Sequence, residues 1–395
     1  MRLDNVAEFY PLSPMQQGIL FHCLYDPQSV LYFGQLSYTF SGDFDATKFI
    51  QAWQRVVERH SILRTFFVWE KLKEPVQVVQ QHVDVPTSLL DWQDVSAEKQ
   101  RQRLNDFMRA DRERGFEFSR APLMRLTLIR LGEDVYRFIW SHHHLLVDGW
   151  SVPILLGEVF AYYEALRRGE ELNLEPSRSY RDYISWLHRQ DLAKAETFWR
   201  EYLKGLTAPT PLGLANAVSS TPTSDKKCGD ELISLSTETT SALQSLARCH
   251  QLTLNTLVQG AWSILLSRLS GESDVLFGAT VAGRPAEVPG SEKMIGIFIN
   301  TLPVRVRVSS DHSIITWLKQ LQEQQAELRQ YFSNLISPEE VKEMQTDRHG
   351  KAYRALIRRM GQDGKLGCGS TSTVHWSRCT AGARSLAIRS SSKAF

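Results

Sequence analysis

The densest group of reactive side chains in the sequence is SHHHLLVDGWS, residues 141–151. Imidazole has an ordinary pKa of about 6.5 and so can take or release a proton at neutral pH. Asp148 can orient an imidazole or pair with a cation, and Gly149 leaves the backbone open to close approach by a substrate. If the run is a strand, His142 and His144 share one face and His143 points to the other, so at most two of the three rings meet one reactant. Two other readings stand beside proton transfer. One is a metal site of His142, His144 and Asp148, for which no second cluster supplies ligands and whose spacing matches no zinc motif. The other is packing and hydrogen bonding alone.

The neighbouring residues supply elements that would hold these rings. From Val135, VYRFIWSHHH alternates bulky Tyr136, Phe138 and Trp140 with Arg137 and Ser141, the period of a strand. Ser151 offers an N-cap, with Pro153 in the first turn, to the helical pattern VPILLGEVFAYYEALRRG, which Gly169 can end. The histidines are therefore expected where a strand passes into a loop before a helix, fixed by the sheet and exposed by the loop.

Elsewhere, Asp45 can cap a helix bearing Phe49, Trp53, Val56 and Val57 at three- and four-residue spacing, and ILRTFFV reads as a strand. Residues 206–227, rich in Thr, Pro, Ser and Ala, read as a linker or long crossover. Beyond it come a strand ELISLS, a helix near residues 238–250, a second helix opened by Thr253 with apolar Leu254, Leu257, Val258, Ala261, Trp262 and Leu265, and a strand VLFGATV. Strands mixed with amphipathic helices on both sides of the linker predict an α/β protein of two units.

With 395 residues, net charge +2, 42% hydrophobic and 23% charged residues, the chain is neither a disordered nor a disulfide-stapled sequence. No run approaches the roughly 18 apolar residues of a membrane span, and MRLDNVAEFY lacks a secretory apolar core. A cytoplasmic location without a membrane partner is expected. Cys23, Cys228, Cys249, Cys368 and Cys379 form no C-x-x-C pair and read as ordinary thiols. Residues 341–395 hold 11 Lys+Arg against 3 Asp+Glu, although the chain as a whole is nearly neutral. Residues 361–395 contain 7 Ser, 3 Thr and 5 Gly with few apolar positions, so weak order is expected there. Few aromatics and no recognised module argue against nucleic acid as a partner. GQDGKLGCGS departs from a phosphate loop at Leu366, where Ser or Thr should follow the lysine.

HHLLVDG, His143 to Gly149, resembles the HHxxxDG signature of the condensation domains of nonribosomal peptide synthetases, in the wider chloramphenicol acetyltransferase superfamily. In the family's order it is joined by YPLSPMQQGILFH (Tyr10 to His22), RHSILRTFF (Arg59 to Phe67), YRDYISW (Tyr180 to Trp186), VAGRP (Val281 to Pro285) and MIGIFINTLPVRV (Met294 to Val306). The resemblance implies an α/β fold of two chloramphenicol-acetyltransferase-like subdomains in a V-shaped arrangement, with the active site between them. On this chain that maps to a first subdomain over residues 1–175, a helix and linker over 176–227, a partial second subdomain over 228–335 and an atypical basic tail over 336–395. Similarity ends near Tyr331, where the family continues with further strands and helices. A second subdomain so shortened is expected to have an unpaired sheet edge.

The implied reaction joins two carrier-bound substrates. A donor carrier protein brings an acyl or peptidyl thioester and an acceptor carrier protein brings an aminoacyl thioester, each on a 4'-phosphopantetheine arm; the amine attacks the thioester. No cofactor is bound directly, and adenylation domains of the same assembly line are further partners. His144, the second histidine of the motif, is the implied catalytic group, with His143, Asp148 and Gly149 completing the signature. The resemblance also implies a structural ion pair between Asp148 and Arg64 and a tunnel lined by Asn300 and Trp150, a structural strand cap being the other reading of Asn300; Gly283 and Arg284, before Pro285, read as a turn. Epimerisation domains share the histidines, whereas heterocyclisation domains replace both with aspartate. A noncatalytic remnant that only docks carrier proteins is the alternative from another class.

Overall fold

The computed structural model describes residues 5–27, 30–206, 210–211, 233–309, 311–331, 371–375 and 387–391. The chain forms two compact units: Met1–Gln190 with Arg284–Phe298, and Asp191–Gly283 with Ile299–Phe395. The first unit thus extends past residue 175 and takes back a segment that the sequence reading placed in the second.

Two sheets form the first unit. β1 (Val6–Pro11) pairs with β4 (Val76–Gln80), which pairs with β3 (Thr65–Val68), all antiparallel. The larger sheet has the order β2 (Phe33–Ser41), β7 (Val135–His143), β6 (Met124–Gly132) and β5 (Thr87–Asp91), with only β5 and β6 parallel. The helices are α1 (Pro14–Tyr25), α2 (Ala46–Arg59), α3 (Ala97–Arg114), α4 (Ser151–Arg168) and α5 (Tyr180–Leu187). β7 lies between two partners, so its last residues are fixed on both sides: His142 faces Gly34 of β2 and Met124 of β6, and His143 faces Phe33.

As the spacing predicts, Asp45 caps α2 by accepting from Lys48 N at 3.0 Å. The helix buries Phe49, Trp53, Val56 and Val57 completely. Trp53 packs on Trp140 of β7 with ring centroids 4.9 Å apart, and Phe49 on Phe138 at 5.0 Å. Two local expectations change. Ser61–Arg64 is a 3₁₀ turn, so the strand in ILRTFFV begins only at Thr65. Ser151 is the first residue of α4 rather than its cap, and Asp148 accepts from its backbone N–H instead. Gly169 ends α4 at φ 70°, a left-handed conformation that glycine adopts without strain.

The second unit contains α6 (Leu192–Tyr202), α7 (Thr237–His250), α8 (Leu254–Ser270), the antiparallel pair β8 (Asp274–Ala282) and β9 (Ile299–Arg307), and α9 (Ile314–Leu328). Thr253 caps α8 as expected. Residues 233–236 are not a strand; Ser236 is drawn into capping α7, accepting from Thr239 N. Thr371–His375 and Ala387–Ser391 pair as β10 and β11. The expectations for the rest of 336–395, and for most of 206–227, lie outside the described residues. Among the described residues no helix is long and apolar enough to cross a membrane.

Candidate active site

β7 ends at His143, and His144 opens the loop that leads to α4. Its backbone N–H donates to Tyr32 O at 2.9 Å, anchoring the loop to the chain entering β2. The His144 ring is half-buried and its Nδ1 lies 3.1 Å from Val147 O. A carbonyl oxygen only accepts, so Nδ1 must carry the hydrogen and the neutral ring keeps its lone pair on Nε2. Among the described residues no group hydrogen-bonds Nε2. The loop therefore holds the ring by Nδ1 and leaves Nε2 without a hydrogen bond among the described residues.

The other two histidines are not. His143 points to the opposite face, as strand alternation predicts, and is buried. Its Nδ1 accepts from Leu145 N at 3.2 Å, so Nε2 carries the hydrogen, 3.7 Å from Cys23 Sγ. Burial pushes the Cys23 thiol up to about 12, so the sulfur stays protonated. Phe118 meets the His143 ring edge-on at 4.9 Å. His143 thus braces the strand end rather than reaching the site. His142 is also buried, 4.3 Å from the Trp140 ring and 5.8 Å from His144.

Burial first, and then the neighbouring histidines, hold His142 and His143 down at about 3. Both are neutral in the folded protein at neutral pH. Their folded values lie below the ordinary one, so the unfolded chain binds more protons from about pH 6.5 down to about 3, and stability falls with pH across that window. Each ring contributes a slope of up to about 1.4 kcal/mol per pH unit. Denaturant titrations at pH 6, 5 and 4 should show this loss, and His142→Phe should remove about half of the histidine contribution; an unchanged slope in that variant would contradict the assignment.

The expected pair of Asp148 with Arg64 does not form. Arg64 donates to the carbonyls of Val57, Gln80 and Gln81, tying the end of α2 to the end of β4. The cation beside Asp148 is Arg284, with Nη2 3.4 Å from Oδ1 and side-chain exposures of 7% and 1%. Asp148 Oδ1 also accepts from Ser151 N at 2.9 Å and Ser151 Oγ at 2.8 Å, and Oδ2 accepts from Phe298 N at 2.9 Å. Every strong contact of this carboxylate is internal, so it anchors the loop and the returning segment 284–298. Arg284 also donates to the carbonyls of Ser291 and Met294, and its guanidinium lies 4.1 Å from the centre of the Phe298 ring. Sequence reading gave Arg284 only a turn.

Gly149 is exposed, and a Cβ there would meet nothing within 4 Å. Trp150 is 53% exposed, its Nε1 donating to Glu292 O at 3.2 Å. Asn300 belongs to the other unit, in β9 opposite Val281, and its Oδ1 accepts from Thr301 N.

Three supports of the loop were not legible beforehand. Gln16, fully buried, donates to Leu145 O at 3.0 Å and exchanges hydrogen bonds with Gln77; a buried amide after a capping serine gives no sequence signal distinct from a surface one. Asp111, the one buried residue of α3, accepts from Ser141 Oγ, Gln35 Nε2 and Arg125 Nε, fixing β7 one residue before the histidines. Gly34 faces His142 so closely that a Cβ would lie 2.5 Å from Nε2. The His142 ring cannot retreat, because Trp140 lies behind it. Gly34→Ala should therefore cost about 1–3 kcal/mol by overpacking, measured by chemical denaturation.

With this geometry in place the comparisons define the class. The condensation domain model matches residues 6–337, and the chain belongs to the condensation domain family. It is 50% identical over 330 residues to one of the linear gramicidin synthase subunits of Brevibacillus parabrevis, covering 83% of this chain and 6% of that protein. It is 36% identical to surfactin synthase subunit 3 of Bacillus subtilis (strain 168), covering 83% and 26%. The chain therefore spans a small part of the curated relatives it matches. Its α/β fold matches that of the first condensation domain of the calcium-dependent antibiotic synthetase, with a TM-score of 0.68 at 17% identity, covering 83% of this chain and 76% of that one.

Proposed function

We propose that this chain forms an amide bond between a donor acyl or peptidyl thioester and an acceptor aminoacyl thioester, each delivered by a carrier protein on a 4'-phosphopantetheine arm. The observation that carries the reading is the free Nε2 of His144 at the end of a strand fixed on both sides, in a chain of the condensation family. A free α-amine has a pKa of about 7.7–8.0, so roughly a tenth is already neutral at pH 7. Generating the nucleophile therefore demands little of a base. Holding amine and thioester in contact contributes more, about 7–11 kcal/mol in well-oriented systems.

In the proposed step the amine nitrogen bonds to the thioester carbon. Nε2 of His144 takes the nitrogen's proton as the tetrahedral intermediate forms. The C–S bond then breaks, and the proton returns to the departing sulfur as the donor arm is released as a thiol. This reading also includes an acetyltransferase-like fold, adenylation domains that load the carriers, and a cytoplasmic location. Incubation with two separately loaded carrier proteins tests it. Movement of the donor acyl group onto the acceptor amine is the expected result. Binding of both carriers without transfer would reduce the chain to a docking module.

A further inference from the structure

We propose that His142 is a positioning residue for His144, fixing the plane of that ring and so the direction of its free Nε2. The inference rests on the reading of His144 as the base. Trp140, His142 and His144 occupy alternate positions along one face of β7 and its continuation, and their rings follow one another. His142 lies 4.3 Å from Trp140 at 31° and meets His144 at 86°, 5.8 Å between centroids. The Trp140 ring is itself backed by Trp53 at 4.9 Å.

The His142 ring has nowhere to go. Trp140 bounds it on one side, and the backbone of Gly34 closes another so tightly that no side chain fits there. A wall that cannot yield is what an adjacent ring needs if it is to keep one orientation while half-exposed. The hydrogen bond from His144 Nδ1 to Val147 O restrains the ring at one nitrogen, and the edge-to-face contact with His142 adds a second restraint on its plane.

The residue type at position 142 fits a functional reading better than a packing one. His142 Nδ1 is buried and has no hydrogen-bond partner of ordinary geometry, a cost that an apolar residue would avoid. Positions that break a local rule of core composition are the ones to examine for function. Burial keeps this ring uncharged beside His144, so the wall does not repel the imidazolium that forms when His144 takes a proton.

The test uses the full chain labelled with ¹⁵N-histidine, with His144→Ala identifying the His144 signals. In the wild type the His144 ring nitrogens should report hydrogen on Nδ1. In His142→Ala the ring should average towards the other tautomer, and kcat for donor transfer should fall about tenfold to a hundredfold, the scale expected of a misplaced catalytic group, with KM for the loaded carriers within twofold. His142→Phe restores a ring edge and should return the His144 signals and most of kcat. Wild-type His144 signals in His142→Ala would overturn the proposal. So would signals that respond equally to alanine and phenylalanine. The nitrogen signals do not depend on turnover. Displaced His144 signals in His142→Ala, in a protein whose wild type transfers nothing, would uphold the positioning role and dismiss the proposed reaction.

Discussion

His144→Ala should lower the rate of donor transfer by a factor of about 10²–10⁴, the usual contribution of a positioned acid–base group, while carrier binding and fold persist. No neighbouring ring can take over. His143 is buried on the opposite face with both nitrogens engaged, and His142 is sealed between Trp140 and Gly34. The truncation removes one hydrogen bond, to Val147 O, from a half-buried ring, a loss of about 1 kcal/mol. Unfolding therefore cannot account for a large loss of rate. His143→Ala should behave oppositely, because it opens space against Phe118 and removes the acceptor for Leu145 N; its main effect is on stability. Single-turnover rates with preloaded carriers, paired with melting curves, separate the two. A His144→Ala protein that transfers at the wild-type rate would end the assignment of His144 as the base.

What could be read in advance divides along a physical line. Residues whose role is set by local periodicity were legible: Asp45 capping α2, the alternation of Tyr136, Phe138 and Trp140, Gly169 ending α4, and the opposite facing of His143 and His144. Their partners lie within a few positions, so spacing encodes them. The support of the site was not legible, because it is made of long-range contacts. Gln16 reaches Leu145 across 129 positions, and Arg284 reaches Asp148 across 136. Nothing at either end marks the distance. Gly34 illustrates the same limit: its need for a missing side chain arises only once β2 lies beside β7. Residues 61–64 failed for another reason, since a short apolar run serves a 3₁₀ turn as well as a strand.

The second large effect concerns Asp148. Removing its carboxylate takes the acceptor from Phe298 N, one of two acceptors each from Ser151 N and Ser151 Oγ, and the neighbouring anion from the buried Arg284 guanidinium. Breaking a buried charge pair from one side costs about 3–5 kcal/mol, which should lower the melting temperature by on the order of 10 °C. Arg284→Ala should cost a similar amount, since the carbonyls of Ser291 and Met294 lose their donor as well. Arg64→Ala should also destabilise, by about 1–3 kcal/mol, but through a different set of carbonyls, at Val57, Gln80 and Gln81. Combining substitutions distinguishes the two arginines. Asp148→Ala with Arg284→Ala should be less damaging than the sum of the two by about 0.5–3 kcal/mol, because the second change removes a charge already stranded by the first. Asp148→Ala with Arg64→Ala should add to within about 0.5 kcal/mol, as changes without a shared partner do. Coupling with Arg64 and additivity with Arg284 would mean that the aspartate is anchored by the other cation. The activity of these variants, measured well below their melting temperatures, should fall only as far as the loop carrying His144 loosens, since Asp148 makes all its strong contacts within the fold.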